Sequence, residues 1–166
     1  MADETTTGDW EAQIALVWAT AASFSDTEVV AVIDALAADR GEADAAAIFE
    51  RASVRDFVGR EADAEPLYRR AIDLGLDENR HPQAVIQLAS TLRNLGRADD
   101  AVELLDDHLG RFPDDEWTAP ARAFLALSLA SAGQERRALA LALTALAGTL
   151  PAYSNAVRRY ALEFEA

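Results

Sequence analysis

PQAVIQLASTLRNLGRADDAVELLDDHLGRFPDD, residues Pro82 to Asp115, decides the fold. Its first half sets Val85, Leu88, Ala89 and Leu92 at intervals of three and four, which is one face of a helix. Its second half places Ala101 and Leu105 four apart, and Pro113 follows where a helix cannot continue. Gly96 stands between the two runs. The stretch reads as two amphipathic helices, about 82–95 and 97–111, joined by a tight turn at Gly96.

The same pattern recurs on both sides. Gly59, Gly96 and Gly133 are evenly spaced, with 96 − 59 and 133 − 96 both equal to 37. Ala64, Ala101 and Ala138 keep that interval, as do Leu67, Leu104 and Leu141. Ala15, Ala52, Ala89 and Ala126 carry it one step further toward the N-terminus. Four columns in register imply a repeated helix-turn-helix unit rather than coincidence.

On these residues the chain resembles the tetratricopeptide repeat family, in an alanine- and arginine-rich bacterial form. The family pattern is W-x2-L-G-x2-Y, then A-x3-F, then P. Val85, Leu88, Ala89, Leu92, Ala101, Leu105 and Pro113 fill its slots, and Leu88, Ala101 and Pro113 are identical to it. The family unit is about 34 residues, so each unit here carries about three more, expected in the loops between units. The resemblance implies an all-α, right-handed α-solenoid that binds proteins or peptides in a concave groove and is not an enzyme.

The units follow by stepping through the single domain 1–166. Residues 9–40 form a degenerate repeat, with Trp10, Ile14, Val17, Trp18 and Ala21 on one helical face and residues 1–8 frayed. Ser25 and Glu28 have capping-box spacing at the next helix start. Residues 42–76 are the next repeat, with helices from Glu42 and Arg60 and with Pro66 near a helix start. Here Arg51 and Arg55 occupy slots for large apolar residues, so they must snorkel or pair with acids. Repeats 82–115 and 116–149 follow, the latter opening a helix at Glu116. Residues 151–166 form a capping helix with Pro151 at its first position and Tyr153, Val157, Tyr160, Ala161 and Phe164 inward.

Composition narrows the chemistry. The net charge is −14, which repels phosphate backbones and anionic lipid, so neither nucleic acid nor membrane is an expected partner. All 15 basic residues are arginine, which removes Schiff-base and lysine-nucleophile chemistry. There is no cysteine, hence no disulfide, thiol catalysis or cysteine–zinc site. The acidic start lacks a signal peptide's basic region, and the apolar run Ile14–Phe24 is too short to span a bilayer, so the expected location is the cytoplasm.

In the resembled family a second face of each first helix lines the groove. Here that face holds Gln83, Gln87, Ser90, Arg93 and Asn94 in the central repeat. The repeat before it supplies Phe49, Glu50, Ser53 and Asp56, and the repeat after it Phe124 and Leu127. The amides and hydroxyl suit a peptide backbone, and Arg93 suits a carboxylate or a pairing with Asp56. The competing reading gives these side chains to hydrogen bonds within the stack. A terminal-carboxylate clamp of the family's kind does not fit Phe49, Ser53, Gln87, Pro120 and Phe124.

Catalytic and metal readings are weak. Asp99, Asp100 and Glu103 have the spacing of a cation motif, but acids also favour a helix N-terminus through its dipole. His81 falls in a loop before Pro82, and His108 takes a small-residue slot on a packed face. Neither has a placed triad partner, so no catalytic residue, metal or cofactor is expected. Two alternatives remain: a homodimer through the apolar groove ends, and an enzyme using the acidic cluster or Arg51, Arg55 and Arg93.

Overall fold

The computed structural model describes residues 2–113 and 115–164, with side chains from residue 8 onward. All regular structure among the described residues is helical. In chain order the helices are α1 (Ala2–Thr20), α2 (Asp26–Ala38), α3 (Ala45–Phe57), α4 (Glu61–Leu74) and α5 (Arg80–Asn94). Then follow α6 (Ala98–Arg111), α7 (Thr118–Ser131), α8 (Glu135–Ala147) and α9 (Ser154–Ala161). The chain forms two compact units, Met1–His81 and Pro82–Ala166.

The periodic glycines make the hairpins. Gly59, Gly96 and Gly133 hold φ of +72°, +78° and +74°, the left-handed region that a β-carbon disfavours. Each closes the same cap: the next residue's N–H reaches five residues back, at 2.8 Å from Arg60 to the Arg55 carbonyl, 2.9 Å from Arg97 to Leu92 and 2.8 Å from Gln134 to Leu129. The repeat is therefore a repeat of backbone conformation. The columns Ala52 and Ala89, and Ala64, Ala101 and Ala138, are buried, as helices in close contact require.

In the N-terminal unit α2 packs on α1 and α3, and α3 on α4. Trp10, Ile14, Val17 and Ala21 meet Val29, Ile33 and Ala37 of α2 and Ala47 and Val54 of α3 in one core. The capping box at Ser25 is formed, with the Glu28 carboxylate accepting the Ser25 N–H at 2.8 Å. In the C-terminal unit α7 packs on α6 and α8, and α9 with its following 3-10 turn packs on α8. Leu88, Leu92, Leu105, Leu125 and Leu129 are its large buried side chains.

Several boundaries differ from the sequence expectation. α1 begins at Ala2, so the segment expected to fray is helical. α3 begins at Ala45, not Glu42, because the Asp44 side chain accepts the Ala47 N–H at 2.9 Å and caps it. α5 begins at Arg80, which puts His81 and Pro82 in its first turn, where proline's missing N–H leaves no bond unmade. α7 waits until Thr118 because the Asp115 carboxylate takes the Trp117 N–H at 2.9 Å in a turn ahead of it. Pro151 is not a first helical residue: α9 starts at Ser154 behind Tyr153, whose φ is +67°. Its inner face is Val157 and Ala161, with half-buried Phe164 in the 3-10 turn that follows, while Tyr153 and Tyr160 are exposed. Ala15 also departs from its column, since it is exposed on α1.

Candidate functional site

On α3 the expected groove residues are tied into the N-terminal unit. Phe49 is buried against Tyr68 of α4, with ring centres 6.2 Å apart. Ser53 and Asp56 are half-buried and hydrogen-bond the Tyr68 hydroxyl. Burial, reinforced by the Asp56 charge, pushes the Tyr68 phenol far above its ordinary range.

Glu50 is only 5% exposed, rare for a carboxylate. Its Oε2 accepts the Trp18 indole N–H at 2.7 Å, and its Oε1 lies 3.7 Å from the Arg80 Nε. Arg80 also pairs with Glu11 of α1 and, at 2.9 Å, with Asp77. Burial drives the Glu50 carboxyl up, and the Trp18 and Arg80 contacts oppose that rise without cancelling it. Phe57 stays exposed, edge-on to Trp18 at 5.8 Å.

Arg51 and Arg55 pair with an acid. Arg55 forks onto Asp34 of α2 at 3.0 and 2.9 Å, and the Arg51 Nε reaches Asp34 at 3.2 Å. Burial pushes the Asp34 carboxyl up, but the two guanidiniums outweigh it and hold the group below its ordinary value. Sequence reasoning found the two arginines and missed Asp34. The signal was present: Asp34 stands one interval ahead of Ala71 and two ahead of His108, a charge in a small-residue column. Arg80 was missed as well, and no column marks it.

In the C-terminal unit Gln83, Gln87, Ser90 and Arg93 are half-buried on α5, and Asn94 is exposed. Gln83, Gln87 and Asn94 are already engaged within the protein. Arg93 differs: its Nε is buried with no hydrogen-bond partner among the described residues. On α7, Leu127 is 50% exposed, Ala123 and Ala130 are exposed on the same face, and Phe124 is half-buried beside them. The opposite face of α7 buries Ala121, Leu125, Ser128 and Leu129.

Three acids of α6 hold arginines. Asp100 meets Arg97 at 2.6 Å, Asp106 meets Arg137 at 2.8 Å and Asp107 meets Arg111 at 3.0 Å. Among the described residues no group of three histidine, cysteine or acidic side chains is placed to hold a metal. His108 is buried beside Phe112, with ring centres 5.3 Å apart. No helix among the described residues is long and apolar enough to cross a membrane.

A family model described as "Tetratrico peptide repeat" matches residues 45–164. The match opens on the first residue of α3 and leaves α1 and α2 outside it. Proteins built of this repeat are in general protein-interaction scaffolds and typically carry no enzymatic activity. No curated protein and no solved structure matches the chain.

Proposed function

Because the chain belongs to the tetratricopeptide repeat family, we propose that it is a non-enzymatic scaffold holding a protein or peptide segment on the outward faces of α5 and α7. The observation that carries this reading is the strip Ala123, Leu127 and Ala130. Leu127 is 50% exposed on a helix whose other face is fully packed. Apolar area left in water forgoes about 25 cal/mol per Å2, and contiguous strips of it tend to mark contacts. Phe124 adjoins the strip and extends it.

Leu127→Asp tests the reading, because an exposed position tolerates a charge without unfolding the unit. The wild type is expected to retain a partner from native lysate, identified by mass spectrometry, and the variant to lose it at an unchanged melting temperature. A wild-type dimer by light scattering that becomes a monomer on substitution assigns the strip to self-association instead. A large fall in melting temperature makes Leu127 structural and ends the proposal.

A further inference from the structure

We propose that the occupant of the α5 and α7 faces is an internal acidic–apolar segment of a partner protein, with one Asp or Glu side chain held by Arg93 and an apolar residue against Leu127. This rests on the preceding reading that these faces bind a polypeptide, and it names the chemistry of that polypeptide.

Acids outnumber arginines 29 to 15, yet among the described residues Arg93 is the arginine whose Nε is buried with no partner. Nine arginines pair with an acid, among the described residues. Arg93 is not among them, although it lies on the part-buried face of α5. Of its three nitrogens only Nε is both buried and unpaired. The buried Nε holds one end of the guanidinium in place, and the two terminal nitrogens are the proposed donors to the ligand. An oriented fork loses less freedom on binding than a mobile side chain, and its planar pair of N–H groups matches a carboxylate.

The surroundings select among anions. Gln83, Gln87, Ser90 and Asn94 are neutral, and the nearest arginine along the chain, Arg97, is held by Asp100. One cation among amides suits a single carboxylate better than a phosphate, which gathers several cations. The apolar strip on α7 asks for an apolar side chain in the same segment. Recognition of an anion by a chain of net charge −14 also fixes the sign of the salt effect. Long-range repulsion is screened over about 8–10 Å at physiological salt, whereas a part-buried pair is screened much less. Affinity for the acidic segment is expected to hold or rise as salt goes from about 20 to 150 mM, the reverse of a surface ion pair.

The test uses the full chain and three immobilised libraries of acetylated, amidated peptides. Flanking positions are randomised among apolar residues, and the central residue is Glu, Gln or Arg. The Glu library is expected to retain the protein roughly tenfold better than the Gln library. Arg93→Gln is expected to bring the two to parity, and Arg93→Lys to keep part of the preference. Circular dichroism melts of both variants check that the unit stays folded. Equal retention of all three libraries by the wild type, preference for the Arg library, or a Glu preference that survives Arg93→Gln overturns the inference and leaves the scaffold reading standing. Retention of none of the libraries overturns both.

Discussion

Where the C-terminal unit places Leu88 and Leu92 on α5 and Leu125 and Leu129 on α7, the N-terminal unit has Arg51 and Arg55 on α3, one interval earlier in the same columns. The four leucines are buried. The arginines are half-buried and meet Asp34 of α2. The charge divides in the same sense. Residues 1–81 carry 18 acids against 7 arginines, a net of −11, and residues 82–166 carry 11 against 8, a net of −3. Two chemistries thus fill one helical scaffold. Leucines gain free energy from leaving water and tolerate small shifts, whereas the guanidinium–carboxylate contact fixes direction and offers little net stability after desolvation. The ionic version joins α2 to α3, and the family match opens on α3 and leaves α2 outside it. We read the ionic contact as a device that sets the register of α2 on α3.

The largest loss of stability is expected on the apolar side. Leu92→Ala is expected to cost about 2–5 kcal/mol in urea unfolding, because the side chain is fully buried and its site cannot collapse completely. Asp34→Ala should cost about 2–3 kcal/mol, less than for a fully buried pair, since its side chain is 33% exposed. That loss comes from stranding two guanidiniums. Replacing all three groups, as Asp34→Ala with Arg51→Leu and Arg55→Leu, should be neutral or stabilising by about 1–4 kcal/mol. A triple variant as unstable as Asp34→Ala alone would mean that the ionic contact is itself a source of stability.

A subtler contrast uses one column. Ala89 and Ala15 are two intervals apart, yet Ala89 is buried and Ala15 exposed. Ala89→Leu should overpack its site and cost about 1–3 kcal/mol, and Ala15→Leu should stay within about 0.5 kcal/mol. Equal costs would mean that α1 keeps the register of α3 and α5.

Such contrasts mark what the sequence can convey. Hairpins at Gly59, Gly96 and Gly133 were legible because a left-handed turn residue and its flanking apolar columns leave a periodic trace. The capping box at Ser25 was legible because it is local. Helix starts at Ala45 and Thr118 were not, since each depends on which way an aspartate turns, at Asp44 and Asp115. The face of α9 slipped because a proline in a bend looks like a proline at a helix start. The candidate groove positions were legible only as columns, and the way they divide between buried and exposed was hidden. Phe49, Glu50, Ser53 and Asp56 serve contacts across 12 to 32 residues within their own unit, and no periodicity reports such contacts.

The smallest effect is the most diagnostic, because two carboxyls of the N-terminal unit titrate in opposite senses. Asp34 lies below its ordinary value, so its contribution is present above the normal aspartate range and is lost as pH falls through the lowered value. Glu50 lies above its ordinary 4.5, so the folded chain takes up this proton at a higher pH than the unfolded chain does. Falling pH from neutral through that raised value therefore adds stability at Glu50, until the unfolded carboxyl is protonated too. Glu50→Gln keeps an acceptor for the Trp18 indole and removes the buried charge. Arg80 retains Glu11 and Asp77. The variant should match the wild type at pH 7 within about 1 kcal/mol and lose the part of the stability gain on acidification that Glu50 supplies, read from urea melts across that range. A loss above about 2 kcal/mol at pH 7 with the wild-type pH slope intact would show that the charge itself is needed by Arg80. Glu50 would then belong with Asp34, as a second ionic contact fixing helix register in this unit.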